Sequence, residues 1–71
     1  MKKIIQKNGY IVYQAVTDRD TKKYGIRKGC YNVYPKEEIE SYGVSFAYAD
    51  FEDVDTLDEV MELIDVMQLT K

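Results

Sequence analysis

The chain has 71 residues, a net charge of −3, 45% hydrophobic residues, one cysteine and no histidine. That length has room for one core, so a single domain over residues 1–71 is expected, and the apolar content argues against disorder. A lone cysteine excludes an intramolecular disulfide, and the absence of histidine removes Ser-His-Asp and Cys-His nucleophile pairs, histidine proton shuttles and the usual zinc sets.

Lys2-Lys3-Ile4-Ile5-Gln6 and Tyr10-Ile11-Val12-Tyr13-Gln14-Ala15-Val16 are rich in β-branched and aromatic residues. Between them lies Asn8-Gly9, the pair that best tolerates the positive φ of a type I′ turn, so these segments predict a hairpin. Thr17-Asp18-Arg19-Asp20-Thr21-Lys22-Lys23 is polar and ends in Tyr24-Gly25-Ile26, and Pro35-Lys36-Glu37-Glu38-Ile39-Glu40-Ser41 ends in Tyr42-Gly43-Val44. Both read as short helical turns stopped by a glycine in the left-handed conformation, with Pro35 suited to a first helical position. Cys30-Tyr31-Asn32-Val33-Tyr34 reads as a strand ended by the proline. Val44-Ser45-Phe46-Ala47-Tyr48-Ala49-Asp50 alternates large with small and predicts a fourth strand.

Thr56-Leu57-Asp58-Glu59 matches the S/T-x-x-E capping box, which starts a helix over about residues 57–68. Leu57, Val60, Met61, Ile64 and Met67 form its apolar stripe, and Asp58, Glu59, Glu62 and Asp65 form its acidic face. One apolar stripe needs one apolar partner, and the sheet is the only large one. The expected architecture is α+β: a small, mainly antiparallel sheet built from the hairpin and two further strands, with short helical turns and the C-terminal helix on one sheet face.

Charge is divided along the chain. Residues 1–36 hold nine of the ten cations and two of the thirteen acids, giving +7, and residues 37–71 carry −10. Either the two halves neutralise each other across one fold, or the asymmetry marks an interaction.

The inventory opposes an enzyme. No phosphate-binding glycine pattern occurs, and no nucleophile–base pair can be assembled without histidine. The carboxylates fall on a solvated helix face and a loop, where the burial that raises a carboxyl pKa is not expected. Asp50-Phe51-Glu52-Asp53-Val54-Asp55 is acidic but lacks the glycine of an EF-hand loop. Cys30, in a strand, reads as packing and not as a reactive thiol. No catalytic residue, metal site, cofactor or small-molecule substrate is therefore predicted. Met1-Lys2-Lys3 is followed only by Ile4-Ile5, too short for a signal peptide, and no apolar run approaches a membrane span. A soluble cytoplasmic protein is the expectation, since an unpaired thiol fits a reducing compartment.

What remains is binding. Tyr10, Tyr13, Tyr31, Tyr34 and Tyr48 all fall on predicted strands, and alternation leaves several partly exposed on the face away from the helix, either as an interface, which tyrosine favours, or as a rim of half-buried rings with wet hydroxyls. The leading expectation is a non-enzymatic protein-interaction or regulatory module, with a protein partner or self-association. One variant has the acidic face imitating nucleic acid, as small inhibitors from phages and mobile elements do. The alternative is a nucleic-acid-binding sheet using a basic patch of Lys22, Lys23, Arg27 and Lys28. Gly9-Tyr10-Ile11-Val12-Tyr13-Gln14-Ala15, with Thr21-Lys22-Lys23 and Thr56-Leu57-Asp58-Glu59-Val60, resembles part of the arm-binding domains of phage-type integrases. The insert at residues 30–43 and the acidic last strand and helix depart from that pattern, so no family is assigned.

Overall fold

Asn8 and Gly9 take φ of +53° and +82° in the computed structural model, which describes residues 1–70 and the side chains of residues 1–67. Two consecutive positive φ angles turn the chain tightly enough to pair β1 (Lys2–Lys7) with β2 (Tyr10–Gln14), Lys7 opposite Tyr10. β3 (Tyr31–Pro35) pairs antiparallel with β2, and β4 (Phe51–Val54) with β3, giving a four-stranded sheet in chain order. Among the described residues, α1 (Asp18–Tyr24) joins β2 to β3, α2 (Lys36–Tyr42) joins β3 to β4, and α3 (Leu57–Thr70) follows the last strand. The α+β architecture expected from the sequence is the one observed.

Three helix ends differ in detail from expectation. Thr17 caps α1 through a full capping box: its Oγ1 accepts from Asp20 N at 3.2 Å, and Asp20 Oδ2 accepts from Thr17 N at 3.3 Å. Aspartate at the third helical position does here what glutamate usually does. Gly25 ends α1 in the left-handed region as predicted, whereas Gly43 ends α2 at φ +74°, ψ 167°, a conformation open in practice to glycine alone. Pro35 is the cap of α2 instead of its first helical residue.

The fourth strand lies later than predicted. Residues 44–46 form a turn in which Phe46 N and Ala47 N both donate to Gly43 O, at 3.3 and 3.0 Å. Pairing with β3 begins only where Asp50 N donates to Val33 O at 2.8 Å. The reason is the end of β3: Pro35 has no N–H to donate, so the ladder stops there and residues 44–49 run past it. The large–small alternation of 44–49 is a surface pattern, not a strand pattern.

Alternation sorts the sheet into two faces. Tyr10, Val12, Val33 and Val54 pack with Val60 and Ile64 of α3, joined at the margin by Ile5, Tyr31, Phe51, Leu63 and Met67. Val12 faces Val33 across the β2–β3 ladder, and these two with Val60 and Ile64 are fully buried. The stripe of α3 is rotated from the predicted one: Leu63 joins it, and Leu57, in the first turn, is 38% exposed. A smaller cluster of Ala15, Ile26 and Cys30, with Met1 and Tyr24 against it, closes the α1 end of the sheet.

Truncating Ile64 to alanine should cost about 2–4 kcal/mol, enough to unfold much of a domain this small, whereas Leu57→Ala should cost under about 1 kcal/mol. Urea unfolding followed by circular dichroism separates them, and equal losses would place the core elsewhere. Asp20 sets an acid limit. Its carboxylate accepts from the Met1 ammonium at 2.9 Å, from Val16 N at 3.1 Å and from Thr17 N, and these bonds hold it below the ordinary aspartate range. A lowered folded pKa stabilises above the unfolded value and is lost as pH falls through the folded one. Asp20→Asn should therefore melt earlier than the parent at pH 7, with the gap closing below about pH 4. A gap unchanged at pH 3 would mean the charge is irrelevant.

Candidate functional site

The five strand tyrosines do not make one exposed surface. Tyr10 and Tyr34 are only 4% and 3% exposed, and Tyr13 and Tyr31 are half-buried. On the face away from α3, Tyr13 meets Tyr34 edge to face, with ring centroids 5.7 Å apart at 81°. Asn32 is buried beside them, its Nδ2 donating to the Tyr34 hydroxyl at 3.1 Å and its Oδ1 accepting from Asp53 N at 3.4 Å. Burial pushes the Tyr34 hydroxyl pKa up, against the Asn32 hydrogen bond. These contacts form a largely covered polar–aromatic cluster on that face of the sheet. Tyr48 alone of the five is exposed, and it lies outside any strand.

The predicted basic patch is partly spent within the chain. Arg27 bonds Asp55 Oδ1 at 2.9 Å and the Asp53 carbonyl at 3.4 Å through Nη2, while its backbone N–H donates to Asp53 Oδ1 at 3.0 Å. That clamp holds the edge of β4 where Asp53 takes φ +56° at a register shift. Lys28 pairs with Asp18 at 3.7 Å. Lys22 and Lys23 are exposed on α1, with Lys23 over the Tyr24 ring at 5.3 Å. On α3, Asp58, Glu59, Glu62 and Asp65 are all exposed, and Asp65 meets Lys7 of β1 at 3.0 Å. Among the described residues three ion pairs, Lys7–Asp65, Arg27–Asp55 and, within α2, Lys36–Glu40, thus join the basic and acidic halves.

Of the most exposed apolar groups, sequence reasoning singled out Tyr48 and missed Tyr42 and Phe46. Tyr42, Phe46 and Tyr48 lie 59%, 78% and 82% exposed within seven positions that leave α2 and approach β4. Reading 44–50 as a strand concealed Phe46, and reading Tyr42 only as the end of a helical turn concealed that ring. The available signal was Gly43 directly after a helix-ending tyrosine, inside a stretch without a single cation from Glu37 to Thr70. Beside this loop Pro35, Glu37, Glu38, Ser41 and Tyr42 line a shallow cleft of about 280 Å³. Glu38, Ser41 and Tyr42 share one face of α2, being three and four positions apart. Glu38 Oε2 is buried there and accepts no hydrogen bond among the described residues. Lys36, the one cation of α2, is engaged, its Nζ lying 3.6 Å from Glu40. The Lys36 N–H donates to Gly9 O at 2.8 Å, which pins the start of α2, and with it the cleft, to the hairpin turn.

Among the described residues no three His, Cys, Asp or Glu side chains gather to hold a metal ion, and no helix is long and apolar enough to cross a membrane. No protein-family model, curated protein or solved structure matches the chain.

Cys30 is buried, with Sγ 3.4 Å from Asp55 Oδ1, and burial first and that acceptor second push its thiol pKa up. A buried thiol held protonated is a poor nucleophile. Cys30 should react with Ellman's reagent at pH 8 only as fast as the chain opens, and mild urea should accelerate it. Immediate labelling of the folded protein would contradict the packing role.

Proposed function

We propose that this chain is a small non-enzymatic protein-interaction module that docks its partner through the 42–48 loop. The observation that carries the reading is the exposure of Tyr42, Phe46 and Tyr48 together on one short loop. Each aromatic ring removes about 150–250 Å² from water when an interface covers it, and rigid aromatic anchors dominate binding energy where they cluster. The loop is flanked in sequence by exposed Glu37, Glu40, Asp50 and Glu52, with Lys36 the one cation beside them, so its rim is polar and mainly acidic, which selects partners by charge. Nothing in the inventory supplies a nucleophile with a base, which supports binding over catalysis. The nucleic-acid reading has less behind it, because Arg27 and Lys28 already face acids of the same chain and the sheet tyrosines are largely covered.

A photo-crosslinking residue at position 46, in the cells that make the protein, should give one discrete adduct with another protein. The same residue at position 66, on the exposed side of α3, should give none. Equal labelling from both positions, or none from 46, would remove the loop as the docking surface.

A further inference from the structure

We infer that the 42–48 loop docks on the basic α1 end of a second copy of this chain, an inference that rests on the interaction-module reading and names its partner. Two elements build the basic end. Arg19, Lys22 and Lys23 are exposed three and four positions apart, which sets them on one side of α1. The Met1 ammonium donates to Asp20 of α1 at 2.9 Å, which brings the start of β1, with exposed Lys2 and Lys3, to the same end. The acids that could neutralise this surface are already engaged. Asp20 holds the Met1 ammonium, Asp18 pairs with Lys28, and Arg27 holds Asp53 and Asp55. Lys2, Arg19 and Lys22 form no ion pair among the described residues.

The opposite end has the reverse character. Tyr42, Phe46 and Tyr48 are exposed there, Glu37 lines the same cleft as Tyr42, and Asp50 follows Tyr48 by two positions. Glu37, Asp50 and Glu52 are exposed and form no ion pair among the described residues. Aromatic faces attract ammonium and guanidinium groups, and carboxylates bond them, so this end offers the cations of α1 two kinds of contact. Lys23 already lies over the Tyr24 ring at 5.3 Å, a contact of the first kind within one copy.

The sheet keeps one copy from joining its own two ends. Gly9 O accepts from Lys36 N of α2 at 2.8 Å before β2 begins, and Ala15 N donates to Cys30 O at 3.1 Å after it ends. The cations of α1 and the aromatic loop therefore meet only between copies. A different protein would need a basic surface of its own, whereas every copy of this chain carries one. Three rings remove at most about 750 Å² from water, less than one side of a standard interface, so the association is weak and concentration-dependent.

Sedimentation velocity on the full chain, from about 10 µM to about 1 mM, should show association that weakens at least about five-fold between about 50 and about 500 mM salt. Phe46→Ala, and Arg19→Ala combined with Lys22→Ala, should each stay monomeric while keeping the parent's circular dichroism. Mixed in equal amounts the two should associate again, because the first keeps its basic end and the second its loop. Glu62→Gln on α3 should change the parent's association by less than about two-fold. The protein captured at position 46 is then another copy of this chain.

A parent chain that is monomeric throughout, association indifferent to salt, or a mixture no more associated than either variant alone would overturn the inference. The dilution and salt series need no variant, so a misfolded mutant cannot blur them. If the chain stays monomeric while position 46 captures a different protein, the interaction reading stands and the second copy falls as its partner. If neither occurs, both fall.

Discussion

Val60 and Ile64 of α3 reach the sheet above Val12 and Val33, and all four side chains leave water completely. Each such burial contributes about 1.5–3 kcal/mol, comparable with the whole net stability of a domain this small. No disulfide shares that task. The contact also decides where everything else can be. With α3 on one face, the short helices α1 and α2 occupy opposite ends of the sheet. The α1 end is closed by Ala15, Ile26 and Cys30, and the α2 end carries the cleft and the aromatic loop.

Local signals in the sequence were read well where the chain obeys local rules. Asn8-Gly9 forces its hairpin because two positive φ angles in a row leave few alternatives. Thr56 caps α3, its Oγ1 accepting from Glu59 N at 3.2 Å. The fourth strand was misplaced because strand identity depends on a neighbour, and alternation in Val44-Ser45-Phe46-Ala47-Tyr48 carries no information about where β3 runs out of donors. The tyrosines failed for a related reason. Period two assigns Tyr13 and Tyr34 to the face away from α3, as observed, but it cannot say that Asn32 and a second ring already occupy that face. Tyr42 and Phe46 then became the exposed aromatics by elimination that only three dimensions perform.

The charge split is used in two ways. Part of it is structural: Lys7–Asp65 ties the first strand to the last helix, and the Arg27 clamp on Asp53 and Asp55 holds the outer strand in its bent register. Exposed pairs of this kind are worth little each, so they tune register more than stability. The rest is left over. Glu40 of α2 meets Lys36, but the other acids of α2 and of the segment leading to β4 make no ion pair among the described residues, and that surplus lies on either side of the exposed rings in the sequence.

The meander order leaves two strands with one open side each, β1 and β4. An open side invites a foreign strand to extend the sheet, and here both invitations are withdrawn. β1 carries Lys2, Lys3 and Lys7 and shifts register between Lys3 and Ile5, while β4 is four residues long and shifts register against β3. Kinks and lysines of this kind are how sheets resist edge-to-edge aggregation. Strand addition at either edge is thereby disfavoured, and with it growth into fibres. Side chains that project from the loops can change from one variant to another without disturbing the ladder beneath them.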